Sequence, residues 1–324
     1  MSQRILNVLY QSDDNYAMVS GISITSLLEN NKHLDEVNVH YCSYGIKPNN
    51  IRKLEKIVSG YQNAQIQFID AKGYHNELKD LGVKPWHGVY VTWLKLLAFG
   101  GLTLSTDRVL FINGHTIVNG PLDELIDLDF EDNVMALSYD ALLNSHKKSI
   151  GLKQDDSYFN AGIMLINHKK WKAEKITDQI KKHLGDKSDY VIADQDLCNV
   201  MFKGKIKLVG VTYNFSSAYY AYPLKRFLKT NNLRPEYFYS YREIMEEYYS
   251  PKIVHSLFGI KGKPWEIGNK HPNRFLWAKY IAMTPWKDTT RREATYTTTW
   301  FLYDLLPNVF FMVLYKIGVK RKFG

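Results

Sequence analysis

Apolar and polar positions follow one another along this chain in two alternating periods. Ile5–Tyr10 is a short, mostly apolar run of strand length. Ser12, Asp13, Asp14, Asn15 and Tyr16 follow as a polar loop, and Val19–Leu28 repeats its apolar residues at helical spacing. Strand, loop and helix in that order predict the opening of an α/β domain. Val37–Cys42 and Gln65–Ile69 read as further strands, with Pro48–Val58 between them as an amphipathic helix. Thr92–Phe99 reads as helical, with Gly100 and Gly101 as its stop. Arg108–Ile112 is the fourth clear strand, and its polar C-terminal end is where open α/β sheets place their ligands. Asn133–Ser138, Gly162–Ile166 and Ile206–Val211 predict three more strands, and Lys169–Leu184 and Asp194–Phe202 two more helices. No internal repeat is visible. From His271 the pattern changes, becoming rich in Trp, Thr and basic residues.

Composition narrows this picture. At 45% hydrophobic residues, the 324-residue chain can bury one large core or two modest ones, and a disordered chain is excluded. Its 23 tyrosines suit surfaces that stack on sugars and bases, although such rings fill cores equally well. A net charge of +9 favours polyanionic partners: nucleic acid, an anionic membrane face or a phosphorylated substrate. Nucleic acid is set aside because the basic residues form no aromatic-interleaved patch within residues 1–270. Cys42 and Cys198 have no metal-type spacing and read as reduced packing residues of a cytoplasmic protein. The N-terminus carries no secretory pattern, and no run reaches the roughly 20 apolar residues of a spanning helix.

Three short stretches carry candidate chemistry. They are Tyr158–Trp171 (YFNAGIMLINHKKW), Asp194–Lys203 (DQDLCNVMFK) and His255…Gly259…Lys263-Pro264-Trp265. With Asn7–Asn30 before them, they resemble glycosyltransferase family 8, the retaining transferases that include bacterial lipopolysaccharide galactosyl- and glucosyltransferases. The resemblance covers about residues 5–265. It implies a GT-A fold, a single mixed, mostly parallel sheet sandwiched by helices, spanning residues 1–270. Residues 271–324 would form a helical, aromatic, basic C-terminal extension.

The resemblance also implies roles. Ser12, Asp13, Asn15 and Tyr16 would hold the base and ribose of a UDP-sugar; a capping loop before residue 17 is the ordinary structural reading of the same residues. Lys95 stands where the family usually has Arg, and would meet phosphate as a point charge without a bidentate fork. Asn160, Ala161 and Gly162 would line the sugar pocket. Asp194 would hold sugar hydroxyls, Gln195 would lie beside the anomeric carbon, and Asp140 would stand near the acceptor. Gly259 and either Lys261 or Lys263, the latter favoured by the Pro-Trp that follows it, would close over the diphosphate, on a loop two residues longer than the family pattern.

The sequence departs from that pattern at the metal. The family's two D-x-D aspartates and a later His hold a divalent ion, usually Mn²⁺. The matching positions are Asn113, Gly114, His115 and His255, so two negative charges are missing. Three outcomes stay open: a metal site made by Asn113, His115 and His255; a metal-independent enzyme in which Lys95, Lys263 and a protonated His115 supply the charge; and a catalytically inactive sugar-nucleotide-binding or scaffold relative.

The expected activity is retaining transfer of galactose or glucose from a UDP-hexose to a lipid-linked or cell-surface glycan, in lipopolysaccharide, capsule or exopolysaccharide synthesis. Beyond Trp286, aromatic and apolar runs alternate with Lys287, Arg291, Arg292, Lys316, Lys320, Arg321 and Lys322. That pattern suits a segment lying on an anionic membrane, and places the protein at the inner face of the plasma membrane.

Overall fold

The computed structural model describes residues 3–141 and 144–323. Its centre is a seven-stranded mixed sheet. In chain order the strands are β1 (Ile5–Asp13), β2 (Glu36–Tyr44), β3 (Ala64–Asp70), β4 (Arg108–Ile112), then, after a short β5 (Thr116–Val118) that lies elsewhere, β6 (Met135–Tyr139), β7 (Phe159–Asn167) and β8 (Ile206–Leu208). The spatial order is β3-β2-β1-β4-β7-β6-β8. β1 pairs in parallel with β2 and β4, β2 with β3, and β6 with β8, whereas β7 runs antiparallel to both β4 and β6. This is an α/β sheet of GT-A type, mixed and mostly parallel, flanked by helices as the sequence predicts. Its strands read as near-continuous apolar runs because both faces are covered.

A second sheet was not legible in the sequence. β5, β9 (Phe215–Ser216) and β10 (Ile253–His255) form it in the order β5-β10-β9. Strands of two or three residues have no readable periodicity. Their pairing still fixes the site: His255 is in register with Thr116 on one side and Ser216 on the other.

Several predicted elements differ in detail. The helix expected over 169–184 is two helices, His168–Ala173 and Ile176–Asp186, separated at Lys175, whose φ is +51°. The strand expected over 206–211 ends at Leu208, and a 3-10 turn occupies Val211–Asn214. The helix Leu94–Gly101 runs through Gly100 and Gly101 and ends at Leu102. There the glycines allow close packing: a Cβ would lie 2.5 Å from Thr177 Oγ1 at Gly100 and 2.5 Å from the Tyr74 hydroxyl at Gly101.

The first helix, Ala17–Asn30, is buried along nearly its whole length. One face packs on the sheet. The other is covered by residues 274–286, where Trp277, Tyr280 and Trp286 are buried. Gly21 makes room for Trp286, since a Cβ there would come within 2.5 Å of the indole. Asn30 Nδ2 donates to the Tyr280 hydroxyl at 2.8 Å. Cys42 and Cys198 are both buried and free. The last two helices, Thr298–Leu305 and Asn308–Phe323, bury Trp300, Phe311 and Met312 and leave Phe301, Leu305, Phe310, Val313, Leu314 and Ile317 exposed. The side chains of Lys316, Lys320, Arg321 and Lys322 lie outside the described residues. No helix among the described residues is long and apolar enough to cross a membrane.

Candidate active site

A cavity of about 530 Å³ opens where the C-terminal ends of β1 and β4 meet the start of β7. Of the residues singled out from sequence, Ser12, Asp13, Tyr16, Lys95, Asn113, Gly114, His115, Asp140, Asn160, Ala161, Gly162, Asp194, Gln195 and His255 all line it. Asn15, Gly259 and Lys263 lie off its wall. Trp86, His87, Thr92, Ile192 and Leu257 line it too and were not singled out. Trp86 and His87 sit on a tight two-residue hairpin, with His87 at φ +49° and Gly88 at φ +83°. The Trp-His-Gly run was the one available signal for it.

Asp13 serves two purposes. Its carboxylate accepts from Tyr16 N at 3.0 Å, capping the short 3-10 turn before the first helix, and the residue also faces the cavity. Ser12 is buried, and its hydroxyl accepts from Tyr41 at 2.8 Å.

On the floor, the Lys95 ammonium lies 2.5 Å from the Asp194 carboxylate, both side chains being at least nine-tenths buried. Burial pushes the Asp194 carboxyl above its ordinary value, and Lys95 opposes that push. Lys95 also stands 4.4 Å from the centre of the Phe111 ring. The lysine expected at phosphate is therefore already paired with the carboxylate expected at sugar.

Gln195 is held from three sides. Its Oε1 accepts from Ala161 N at 3.1 Å, and its Nε2 donates to Asp140 at 3.0 Å and to the Tyr158 hydroxyl at 3.2 Å. Tyr158 in turn donates to Asp196 at 2.7 Å, and Asp196 accepts from Ile192 N. Gln195 lies in the first turn of the helix Ala193–Met201, which Ala193 enters at φ +40°.

A directional chain of hydrogen bonds then crosses the site. Gly162 N, an unambiguous donor, fixes Asn160 Oδ1 as an acceptor at 2.9 Å, which leaves Asn160 Nδ2 to donate to Asp140 at 2.8 Å. The same Oδ1 accepts from Asn214 Nδ2 at 2.9 Å, so Asn214 presents its Oδ1 to His255 Nδ1 at 2.8 Å. In neutral His255 the proton is therefore on Nδ1, and Nε2 accepts from His115 Nε2, 3.0 Å away. The small sheet brings these three residues together. Asn214, which closes the chain, had no motif to mark it. Gly162 is required by this crowding: a Cβ would lie 2.3 Å from His255 Cε1 and 2.8 Å from Asn113 Nδ2.

Burial, then the charges of Lys263 and Lys95, pushes His115 down to about 3. Burial and His115 hold His255 well below its usual range. Burial thus favours the neutral form of both imidazoles and opposes a protonated His115 as a source of positive charge. The family's divalent ion can be judged against this donor set. Two neutral nitrogens, each engaged with the other, and an amide do not fit an oxygen-seeking Mn²⁺ or Mg²⁺. Among the described residues, no group of three or more His, Cys, Asp or Glu side chains is arranged to hold an ion.

The class follows from the layout: an α/β sheet with a largely apolar cleft at its strand ends, into which a few amides and carboxylates are set, sized for a nucleotide-linked small molecule. Comparison with known proteins narrows it. Residues 7–267 match the profile of glycosyl transferase family 8, and the chain belongs to that family as an enzyme of hexosyltransferase type. It is 26% identical over 292 residues to general stress protein A of Bacillus subtilis (strain 168), covering 87% of this chain and 95% of the relative. It is 26% identical over 300 residues to lipopolysaccharide 1,2-glucosyltransferase of Escherichia coli, covering 89% and 81%. The fold is similar to that of the galactosyltransferase LgtC, solved with donor and acceptor sugar analogues. That match has a TM-score of 0.71 at 22% identity and covers 87% of this chain and 99% of LgtC.

Proposed function

We propose that this protein transfers galactose or glucose from a UDP donor, with retention of configuration, to a glycan built on a membrane lipid. The observation that supports this best is the convergence of fourteen residues named from sequence on one cavity. In the reaction, the bond between the anomeric carbon and the β-phosphate oxygen breaks, and its electron pair leaves with UDP. The acceptor hydroxyl attacks from the same face, and its proton passes to the departing β-phosphate oxygen. Gln195 is a poor nucleophile, being an amide, and its three hydrogen bonds hold it still. The free lone pair of its Oε1 steadies the positive charge that develops on the sugar. Asp194, held by Lys95, accepts from sugar hydroxyls, and Asp140 sets the acceptor side.

A lipid-linked acceptor suits the C-terminal helices, whose exposed apolar side chains stand beside a basic tail sequence. Such an arrangement supports a position on the anionic inner face of the plasma membrane.

The test is UDP release from UDP-galactose and UDP-glucose with glycolipid acceptors, and NMR of the product's anomeric proton. Turnover of one donor with an α-linked product is expected. The missing aspartates at 113 and 115 favour a second reading, a sugar-nucleotide-binding protein without turnover. UDP binding without release in any acceptor mixture would select it, and a folded chain that binds no UDP would remove both readings.

A further inference from the structure

We propose that the site holds its donor's diphosphate without a divalent ion, the hydrogen-bonded His115–His255 pair filling the metal position and Lys263 supplying the cation. This rests on the UDP-donor reading above.

The first support is charge. The family's two aspartates balance one dication, and Asn113 and His115 carry no carboxylate to do so. A dication added to this donor set would have only the diphosphate to balance it, and Lys95 is already paired with Asp194.

The second support is geometry. The chain Gly162 N–Asn160–Asn214–His255–His115 uses the nitrogen lone pair that an ion would need: His255 Nε2 accepts from His115, and His255 Nδ1 donates to Asn214. Displacing that proton would break the end of a relay tied to Asp140 and the sheet backbone.

The third support is the cation itself. The Lys263 backbone N donates to Glu266, whose charge bears on the ammonium, but among the described residues the Nζ is in no close ion pair, whereas Lys261 is held by Asp304. It lies beside Gly259, where a Cβ would be only 3.1 Å away. Lys95, by contrast, is already committed to Asp194. Lys263 lies off the cavity wall, but its charge reaches His115, and it is the ammonium not committed to a close ion pair there.

Calorimetry of UDP with the full chain decides the matter. Affinity is expected to stay within about twofold in EDTA, Mn²⁺, Mg²⁺ or Zn²⁺. Lys263→Ala should weaken it by about tenfold or more in EDTA, the loss of one charge-assisted contact. In the double variant Asn113→Asp/His115→Asp, two carboxylates face the diphosphate, so binding should become Mn²⁺-dependent by at least about tenfold. A wild-type affinity that drops about tenfold in EDTA and returns with any of these ions would overturn the proposal. If the double variant does not fold, the wild-type comparison alone decides. A folded wild-type chain that binds no UDP under any ionic condition defeats the donor reading, and this inference with it. That outcome is distinct from metal-dependent binding, which defeats only the inference.

Discussion

At the scale of single residues the site is a set of committed side chains, and each commitment has a measurable cost. The Lys95–Asp194 pair is almost wholly buried. Asp194→Asn leaves an ammonium unpaired in the floor, and should cost about 3–5 kcal/mol in urea unfolding. Lys95→Met should cost less, because the remaining carboxyl is already pushed toward its neutral form by burial. Replacing both together should cost less than the two single losses summed, as a double-mutant cycle would report. Gly162→Ala drives a Cβ into His255 and Asn113. Its expected cost is about 1–3 kcal/mol, with loss of UDP affinity by calorimetry. The sequence marked Lys95, Asp194 and Gly162, but not that the first two neutralise each other. Pairing across 99 positions depends on how the helices at 94–101 and 193–201 face the sheet, which one-dimensional spacing does not encode.

At the scale of elements, strain and acid sensitivity appear at defined joints. Ala193 takes a left-handed φ of +40° immediately before Asp194 and Gln195. Ala193→Gly relieves the clash of Cβ with backbone, and should raise stability by up to about 1 kcal/mol. Turnover should fall in the same variant, since the start of the helix is then less firmly held. His271 joins the body to the C-terminal helices. It is fully buried, with Nδ1 accepting from Asn273 N at 3.1 Å. Burial pushes its pKa down to about 3. The unfolded chain, with an ordinary value of about 6.5, binds the proton more readily, so stability is complete above that pH and is lost as pH falls toward 3. The melting temperature should drop across that window, and His271→Gln should flatten the drop. The first helix shows how an element can be legible while its setting is not. Its apolar spacing predicts a helix, and only the packing of Trp277, Tyr280 and Trp286 explains why it is apolar all round.

At the scale of the whole molecule, the C-terminal helices bury Trp300, Phe311 and Met312 against the body and present an apolar strip outward. Ending the chain after residue 296 should abolish sedimentation with phosphatidylglycerol vesicles. UDP affinity should be unchanged, because the cavity wall and Lys263 are all retained. Unchanged vesicle binding would assign the strip to another contact. By itself the sequence determined the α/β order of the main sheet, the family, and most of the cavity wall. These rest on local periodicity and on contiguous motifs, and both survive reading in one dimension. Tertiary structure alone decided the small β5-β10-β9 sheet, and with it the meeting of His115, Asn214 and His255. Two- and three-residue strands carry no period of their own. Their register comes from the elements packed around them, so the pairing of two histidines 140 positions apart could be learned only from the folded chain.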